Sequence, residues 1–133
     1  MMKSNRCLCG STKVDYDATK LNWQGLCHCD SCRRTSGAPV VGWFGVANGA
    51  WAWAGAPPAV HHSSQDVTRY FCKTCGSPMA YASDRWPGEI HFTAATMDRP
   101  EEFDPQSHFY CDEHLGWLKI SDSLEKFPQT AGN

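Results

Sequence analysis

The sequence predicts a single, mainly β domain, and three observations support this fold class. Short runs rich in β-branched and aromatic residues recur along the 133 residues, as is typical of strands. Glycine (11 residues) and proline (8 residues) are spread along the chain and interrupt these runs, as turns do. No segment keeps a sustained apolar period of 3.6 residues, so long helices are not expected. Many short strands with frequent turns indicate a mainly β fold.

Seven segments have the composition expected of strands. In chain order they are residues 13–16, 40–46, 51–53, 67–71, 79–82, 90–93 and 107–111. Breaks fall at residues 56–58, 76–78, 86–88 and 99–100, each of which contains proline. Short helical turns are expected at residues 31–36 and 112–117. We expect one domain over residues 1–133, with its core over about residues 5–128.

Charge and hydropathy argue against two classes of partner. Twelve Lys and Arg residues against 14 Asp and Glu residues give a net charge of −2, and no basic stripe stands out. A nucleic-acid partner is therefore not expected. No apolar run is long enough to cross a bilayer, and the start MMKSNRCLCG lacks the apolar region of a signal peptide. We expect a cytoplasmic protein with no membrane partner, and the sequence does not predict its oligomeric state.

Eight cysteines are many for this length, and seven of them form three clusters separated by long gaps. The clusters are Cys7 and Cys9, then Cys27, Cys29 and Cys32, then Cys72 and Cys75. In a secreted protein an even number of cysteines would indicate disulfides. Without an export signal, closely spaced cysteines are more often metal ligands, and zinc sites are assembled from such clusters. We therefore predict metal sites rather than disulfides.

The first and third clusters together supply four thiolates. Residues i and i+2 of an extended segment project to the same side, so Cys7 and Cys9 can bind one ion while Gly10 lets the chain turn away. Cys72 and Cys75, separated by two residues, lie on a tight turn resembling a zinc knuckle. Four ligands complete a tetrahedron, as in a structural zinc site. The sequence leaves open the alternative that the first pair joins the middle cluster instead.

The middle cluster offers three sulfurs within six residues, from Cys27, Cys29 and Cys32. Three protein ligands leave one coordination position for water or substrate, which is typical of a catalytic zinc. We interpret His28 as a packed or supporting residue rather than a fourth ligand, because it points away from its two neighbours. Asp30 either hydrogen-bonds the local turn, which we favour, or handles a proton.

For several other residues, a structural role is an alternative to a functional one. Arg33 and Arg34 either bind a substrate carboxylate or form an exposed basic pair. Cys111, outside the clusters, is expected to be a small buried apolar residue. Trp51 and Trp53 are expected in the core, although they share a strand face and could wall a pocket. The remaining histidines, interpreted as structural or surface residues, are His61, His62, His91, His108 and His114.

Three motifs occur in a specific order: CxCG at residues 7–10, CHCxxCRRxxG at 27–37 and FCxxCG at 71–76. In this order the chain resembles the glutathione-dependent formaldehyde-activating enzymes, which share a domain with centromere protein V. The likeness extends to further residues along the chain. They are His62, Ser63, Ser64, Arg69, Thr96, Met97, Asp98, Pro100, Pro105, His108, Trp117, Ile120, Asp122 and Phe127.

The resemblance implies an Mss4-like fold of short antiparallel strands holding two zinc ions. It implies a structural zinc on Cys7, Cys9, Cys72 and Cys75, and a catalytic zinc on Cys27, Cys29 and Cys32. The implied activity is that of a carbon–sulfur lyase acting on thiol–aldehyde adducts, with S-hydroxymethylglutathione formation from glutathione and formaldehyde as the model reaction.

Three thiolates around a divalent cation make a weak Lewis acid, which favours capture of a thiol over activation of water. The carboxylates of glutathione could meet Arg33, Arg34, Arg69 or Arg85, and the sequence does not choose among them. Two alternatives to an enzyme stay open at this point. One is a zinc module that scaffolds a partner, and the other is a thiol redox or metal sensor.

Overall fold

The computed structural model describes residues 1–131. The strands are β1 (Met2–Arg6), β2 (Thr12–Asp17), β3 (Leu21–Cys27), β4 (Val41–Ala47), β5 (Trp51–Gly55), β6 (Ala59–Ser64), β7 (Val67–Phe71), β8 (Pro78–Ser83), β9 (Glu89–Thr93), β10 (Ser107–Phe109) and β11 (Glu125–Lys126). One α-helix, α1 (Asp30–Ser36), lies in this range, with short 3-10 turns at Ala18–Lys20, Ala94–Thr96, Pro100–Glu102 and Cys111–Glu113. Within residues 1–131 no helix has the length and apolar character needed to cross a membrane.

The strands form two sheets that enclose the main core. β1, β2 and β5 make a three-stranded sheet, and the other eight strands follow the order β11-β10-β3-β4-β9-β8-β7-β6. Side chains alternate between the faces of a strand. One face of each sheet is therefore apolar, and the two apolar faces meet. Tyr16 of β2 packs there against Phe44 and Phe92, with ring centroids 5.1 and 6.0 Å away.

The predicted mainly β fold is confirmed, and every predicted strand overlaps an observed one. Residues 67–71 form β7 with the expected bounds, whereas the strand expected at 107–111 ends at Phe109. It ends there because Tyr110 has a left-handed φ of 56°, which breaks an extended run. Most pairings are antiparallel, but β10 runs parallel to both β3 and β11.

Four strands were not predicted: β1, β3, β6 and β11. β1 (MKSNR) and β6 (AVHHSS) are largely polar, so the apolar alternation that marks a strand is missing from them. β3 (LNWQGLC) contains Gly25, a residue that usually weakens a strand. The helical turn expected at 31–36 is α1, but the one expected at 112–117 is wrong beyond Glu113, where the 3-10 turn ends.

Gly25 is required where β3 passes under an aromatic ring. A methyl group there would lie 2.9 Å from Cδ2 of Phe109, a ring held between Trp23 and Phe127 at 5.8 and 5.7 Å. We expect Gly25→Ala to lower the free energy of unfolding by about 1–3 kcal/mol, because the ring cannot move without disturbing its neighbours. Urea unfolding monitored by circular dichroism measures this.

The control is Gly116→Ala, since an added methyl group at Gly116 would meet no atom within 4 Å. A Gly25→Ala variant as stable as Gly116→Ala would contradict the close approach of Phe109 to β3.

Candidate metal centres

The first and third cysteine pairs meet at the ends of β1 and β7. The sulfurs of Cys7, Cys9, Cys72 and Cys75, which we call the closed cluster, all lie within 4.8 Å of one another. The Sγ atoms of Cys7 and Cys9 are 3.6 Å apart, and those of Cys9 and Cys72 are 3.8 Å apart. Sulfurs bonded tetrahedrally to zinc at about 2.3 Å are about 3.8 Å apart. The closed cluster therefore fits a four-coordinate metal site.

The closed cluster is built from two turns with the same sequence, Cys-Gly-Ser, at residues 9–11 and 75–77. The central glycines, Gly10 and Gly76, have φ values of 80° and 79°, a conformation that glycine adopts without strain. The two turns are joined directly, because the backbone N–H of Leu8 donates to Oγ of Ser77 over 2.9 Å. This repeat is the sequence signal that could have identified both serines.

The two serines stabilise thiolates in the closed cluster. Oγ of Ser11 lies 3.1 Å from Sγ of Cys9 and 3.3 Å from Sγ of Cys72, and Oγ of Ser77 lies 3.2 Å from Sγ of Cys75. The Ser11 hydrogen bond, helped by backbone N–H groups, lowers the pKa of Cys72 to about 5. The Ser77 hydrogen bond likewise lowers the pKa of Cys75 to about 7. Thiolate is the form that binds a metal.

The middle cysteines form a second group at the end of β3 and the start of α1. The sulfurs of Cys27, Cys29 and Cys32, which we call the open cluster, also lie within 4.8 Å of one another, and no fourth Cys, His, Asp or Glu in residues 1–131 completes the group. Cys29 is the N-cap of α1, and its Sγ accepts from the backbone N–H of Cys32 over 3.3 Å. The helix cap thus fixes the sulfur position.

The three thiols of the open cluster influence one another's ionisation. Hydrogen bonds from Cys27 and Cys32 lower the pKa of Cys29, so it ionises first. The neighbouring sulfurs and burial raise the pKa of Cys27. Adjacent negative charges resist forming together unless a cation compensates them. The donor type and this mutual repulsion both fit a bound metal ion.

His28 points away from the open cluster and begins a buried chain of hydrogen bonds. Its Nε2 lies 2.8 Å from Nδ1 of His108, and Nε2 of His108 lies 2.9 Å from Oδ2 of Asp122. The Asp122 carboxylate accepts from His108, so Nδ1 of His108 accepts from His28. Burial, with His108 and His114 nearby, lowers the pKa of His28 to about 4. The chain ties the cysteine segment to β10 and the tail.

The hydrogen bonds of His108 are expected to contribute to stability. His108→Ala leaves a ring nitrogen of buried His28 without a partner, at a cost of about 1–3 kcal/mol, in addition to the lost packing. Thermal or urea unfolding measures the change against His62→Ala, an exposed histidine bonded to Thr68. Equal stability of the two variants would show that the buried chain contributes nothing.

Three other residues singled out in the sequence, Asp30, Trp51 and Trp53, make structural contacts. Asp30 hydrogen-bonds within the local turn through side chains rather than the backbone; its Oδ1 accepts from Arg33 over 3.3 Å and from Arg34 over 2.8 Å. Trp51 and Trp53 contact each other and Phe92, in the core rather than along a pocket.

The structure also shows the surroundings of Cys111 and Trp43. Cys111 is half-buried rather than buried, and burial raises its pKa. Sequence reasoning missed Trp43, which is buried and packs against Cys32. The sequence contained little to mark Trp43 as a site residue, because a tryptophan in a strand usually indicates only a core position.

Comparison with known proteins found a similar solved structure and a matching family model. A crystal structure of a Rhodobacter sphaeroides protein, from a structural genomics programme, is similar with a TM-score of 0.58 and 19% sequence identity. The likeness covers 71% of this chain and 87% of that one, and it shows a shared fold. No curated protein matches the chain. The family model described as glutathione-dependent formaldehyde-activating enzyme matches residues 2–113, so the chain belongs to that family.

Proposed function

We propose that the protein is a zinc-dependent carbon–sulfur lyase that joins a thiol to an aldehyde and splits the adduct in reverse. Glutathione and formaldehyde are the model pair, taken from the family to which the chain belongs. The observation that carries the proposal is the open cluster, whose three sulfurs lack a fourth ligand within residues 1–131. In this proposal two zinc ions bind, one structural in the closed cluster and one catalytic in the open cluster.

A zinc ion in the open cluster would supply a positive charge that favours the thiolate form of the substrate and a site that orients it. Cys27, Cys29 and Cys32 would hold that ion, and the buried Trp43 packs against Cys32 and restricts its side chain. In the reaction the substrate sulfur bonds to the carbonyl carbon, and the thiol proton ends on the carbonyl oxygen. No oxidant or reductant is consumed.

The setting expected from the sequence agrees with this chemistry. The proposed location is the cytoplasm, where a reducing environment would keep the cysteines available as metal ligands. No observation favours the scaffold or the sensor over the enzyme. A sensor would need a thiol that is oxidised reversibly with loss of metal, whereas a lyase must turn over with its metal retained.

The test is the rate of adduct formation between glutathione and formaldehyde, followed by NMR exchange spectroscopy. We expect protein loaded with two zinc ions to accelerate the reaction above its spontaneous rate, and apoprotein not to do so. The metal content is measured before and after turnover. No acceleration with glutathione or any small thiol would overturn the lyase, and loss of one zinc with mild oxidant alone would support the sensor instead.

A further inference from the structure

One face of the eight-stranded sheet carries a row of aromatic and cationic residues beside the open cluster. Strand pairing aligns Trp23 with Gly45, His91, Tyr81 and Arg69 across β3, β4, β9, β8 and β7. Directly paired residues of antiparallel strands point to the same face. Trp23 and the open-cluster cysteine that ends β3 are four residues apart, so they also share a face. The row and the open cluster therefore open on one surface.

The side chains of this row contact one another in sequence. The Trp23 ring meets His91 edge-on at 4.7 Å, and the His91 ring stacks on Tyr81 at 5.4 Å. Glu89 fixes the start of the row, because its Oε2 lies 2.8 Å from Nε1 of Trp23 and 2.6 Å from Nε2 of His91. At the other end the guanidinium of Arg69 lies 5.1 Å from the centre of the Tyr81 ring. The row is a built surface rather than a set of separate side chains.

Arg69 keeps most of its hydrogen-bond donors available. Its Nε donates to Oγ of Ser63 over 3.1 Å, and within residues 1–131 it makes no ion pair with a carboxylate. In contrast, Arg33 and Arg34 share the carboxylate of Asp30. Stacking on Tyr81 and the bond to Ser63 orient the guanidinium, which leaves its two terminal nitrogens for a bidentate partner.

Arg69 also lies at a suitable distance from the open cluster. Trp43, which packs against Cys32, has its ring centroid 6.1 Å from that of Tyr81, and the Arg69 guanidinium lies 5.1 Å from the Tyr81 centroid. The guanidinium is thus at most about 11 Å from the Trp43 ring, roughly the length of three extended residues. Arg85 is a weaker candidate, because it is exposed and stacks on Trp86 instead.

We infer that Arg69, stacked on Tyr81, binds a carboxylate of the substrate while the substrate sulfur lies at the open cluster. This inference rests on the proposed function and adds a residue that selects among thiols, favouring those that carry a carboxylate within reach of Arg69. Small neutral thiols would reach the open cluster but leave Arg69 unused.

The first test measures binding without catalysis. S-methylglutathione keeps both carboxylates but has no free thiol, and its affinity for zinc-loaded protein is measured by calorimetry or NMR titration. We expect Arg69→Gln to weaken binding about tenfold to a hundredfold, as loss of a charge-assisted hydrogen bond does. Arg69→Lys should recover only part, because lysine keeps the charge but lacks the bidentate geometry.

The matched control is Arg99→Gln, which removes the same charge from an exposed arginine that forms no ion pair within residues 1–131. Circular dichroism checks that each variant is folded. Equal affinity of wild type and Arg69→Gln would overturn the inference, and so would a loss seen only in Arg85→Gln or no binding to the wild type at all.

The second test separates this inference from the proposed function. With glutathione as substrate, we expect Arg69→Gln to raise KM by about tenfold or more while kcat stays near the wild-type value. With 2-mercaptoethanol both constants should be unchanged. An unchanged KM for glutathione in an active enzyme would overturn the role of Arg69 alone. A wild type without activity that still binds S-methylglutathione through Arg69 would overturn the lyase and leave the binding site standing.

Discussion

Cys72→Ser is expected to abolish the folded state at room temperature. Cys72 is 1% exposed and lies in the closed cluster that joins the turn after β1 to the turn after β7. Structural zinc contributes about 10–16 kcal/mol in small zinc domains, whereas a whole domain is stable by only about 5–15 kcal/mol. Circular dichroism and proton NMR should show an unfolded chain.

The matched control is Cys111→Ser, a cysteine outside both clusters, which should retain the fold and the full metal content. A Cys72→Ser variant that folds and keeps two zinc ions per chain would show that the closed cluster is not the structural site.

Cys29→Ser is expected to abolish the acceleration of adduct formation while the fold is preserved. Serine is a favourable N-cap, so its hydroxyl can accept from the Cys32 N–H in place of the sulfur, and α1 should persist. The open cluster, however, drops from three thiolates to two, and its zinc should be lost. We expect one zinc per chain and a reaction at the spontaneous rate, measured by metal analysis and by NMR on the same sample.

Comparison of the two substitutions tests whether the two clusters have different roles. Equal losses of stability and of metal in Cys29→Ser and Cys72→Ser would contradict a structural role for the closed cluster and a catalytic role for the open cluster. A Cys29→Ser variant that keeps full activity would exclude the open cluster as the reaction site.

Much of the metal chemistry could be predicted from spacing, because short-range geometry determines it. Cys7 and Cys9 face one side of an extended segment, and a tight turn brings Cys72 and Cys75 together. The pairing of the first and third clusters depends on contacts more than sixty residues apart, such as Cys9 with Cys72, and spacing alone left it open. The structure brings these two pairs together.

Features that depend on which strands pair, and in which register, could not be predicted from the sequence. His28 and His108 are 80 residues apart and meet only because β10 lies parallel to β3. The row from Trp23 to Arg69 requires the order of five strands to be known. The largely polar strand β1 was not predicted because it lacks an apolar pattern. Backbone hydrogen bonds to β2 stabilise it instead.

The most direct test of the open cluster is X-ray absorption at the zinc edge, which counts sulfur neighbours. The seven cysteines of the two clusters should give seven sulfur ligands and one lighter ligand over two zinc ions. Saturation with glutathione should raise the count to eight sulfurs, because the substrate thiolate takes the position that no cysteine fills. Eight sulfurs before glutathione is added, or no change after it, would contradict an open site that captures the thiol.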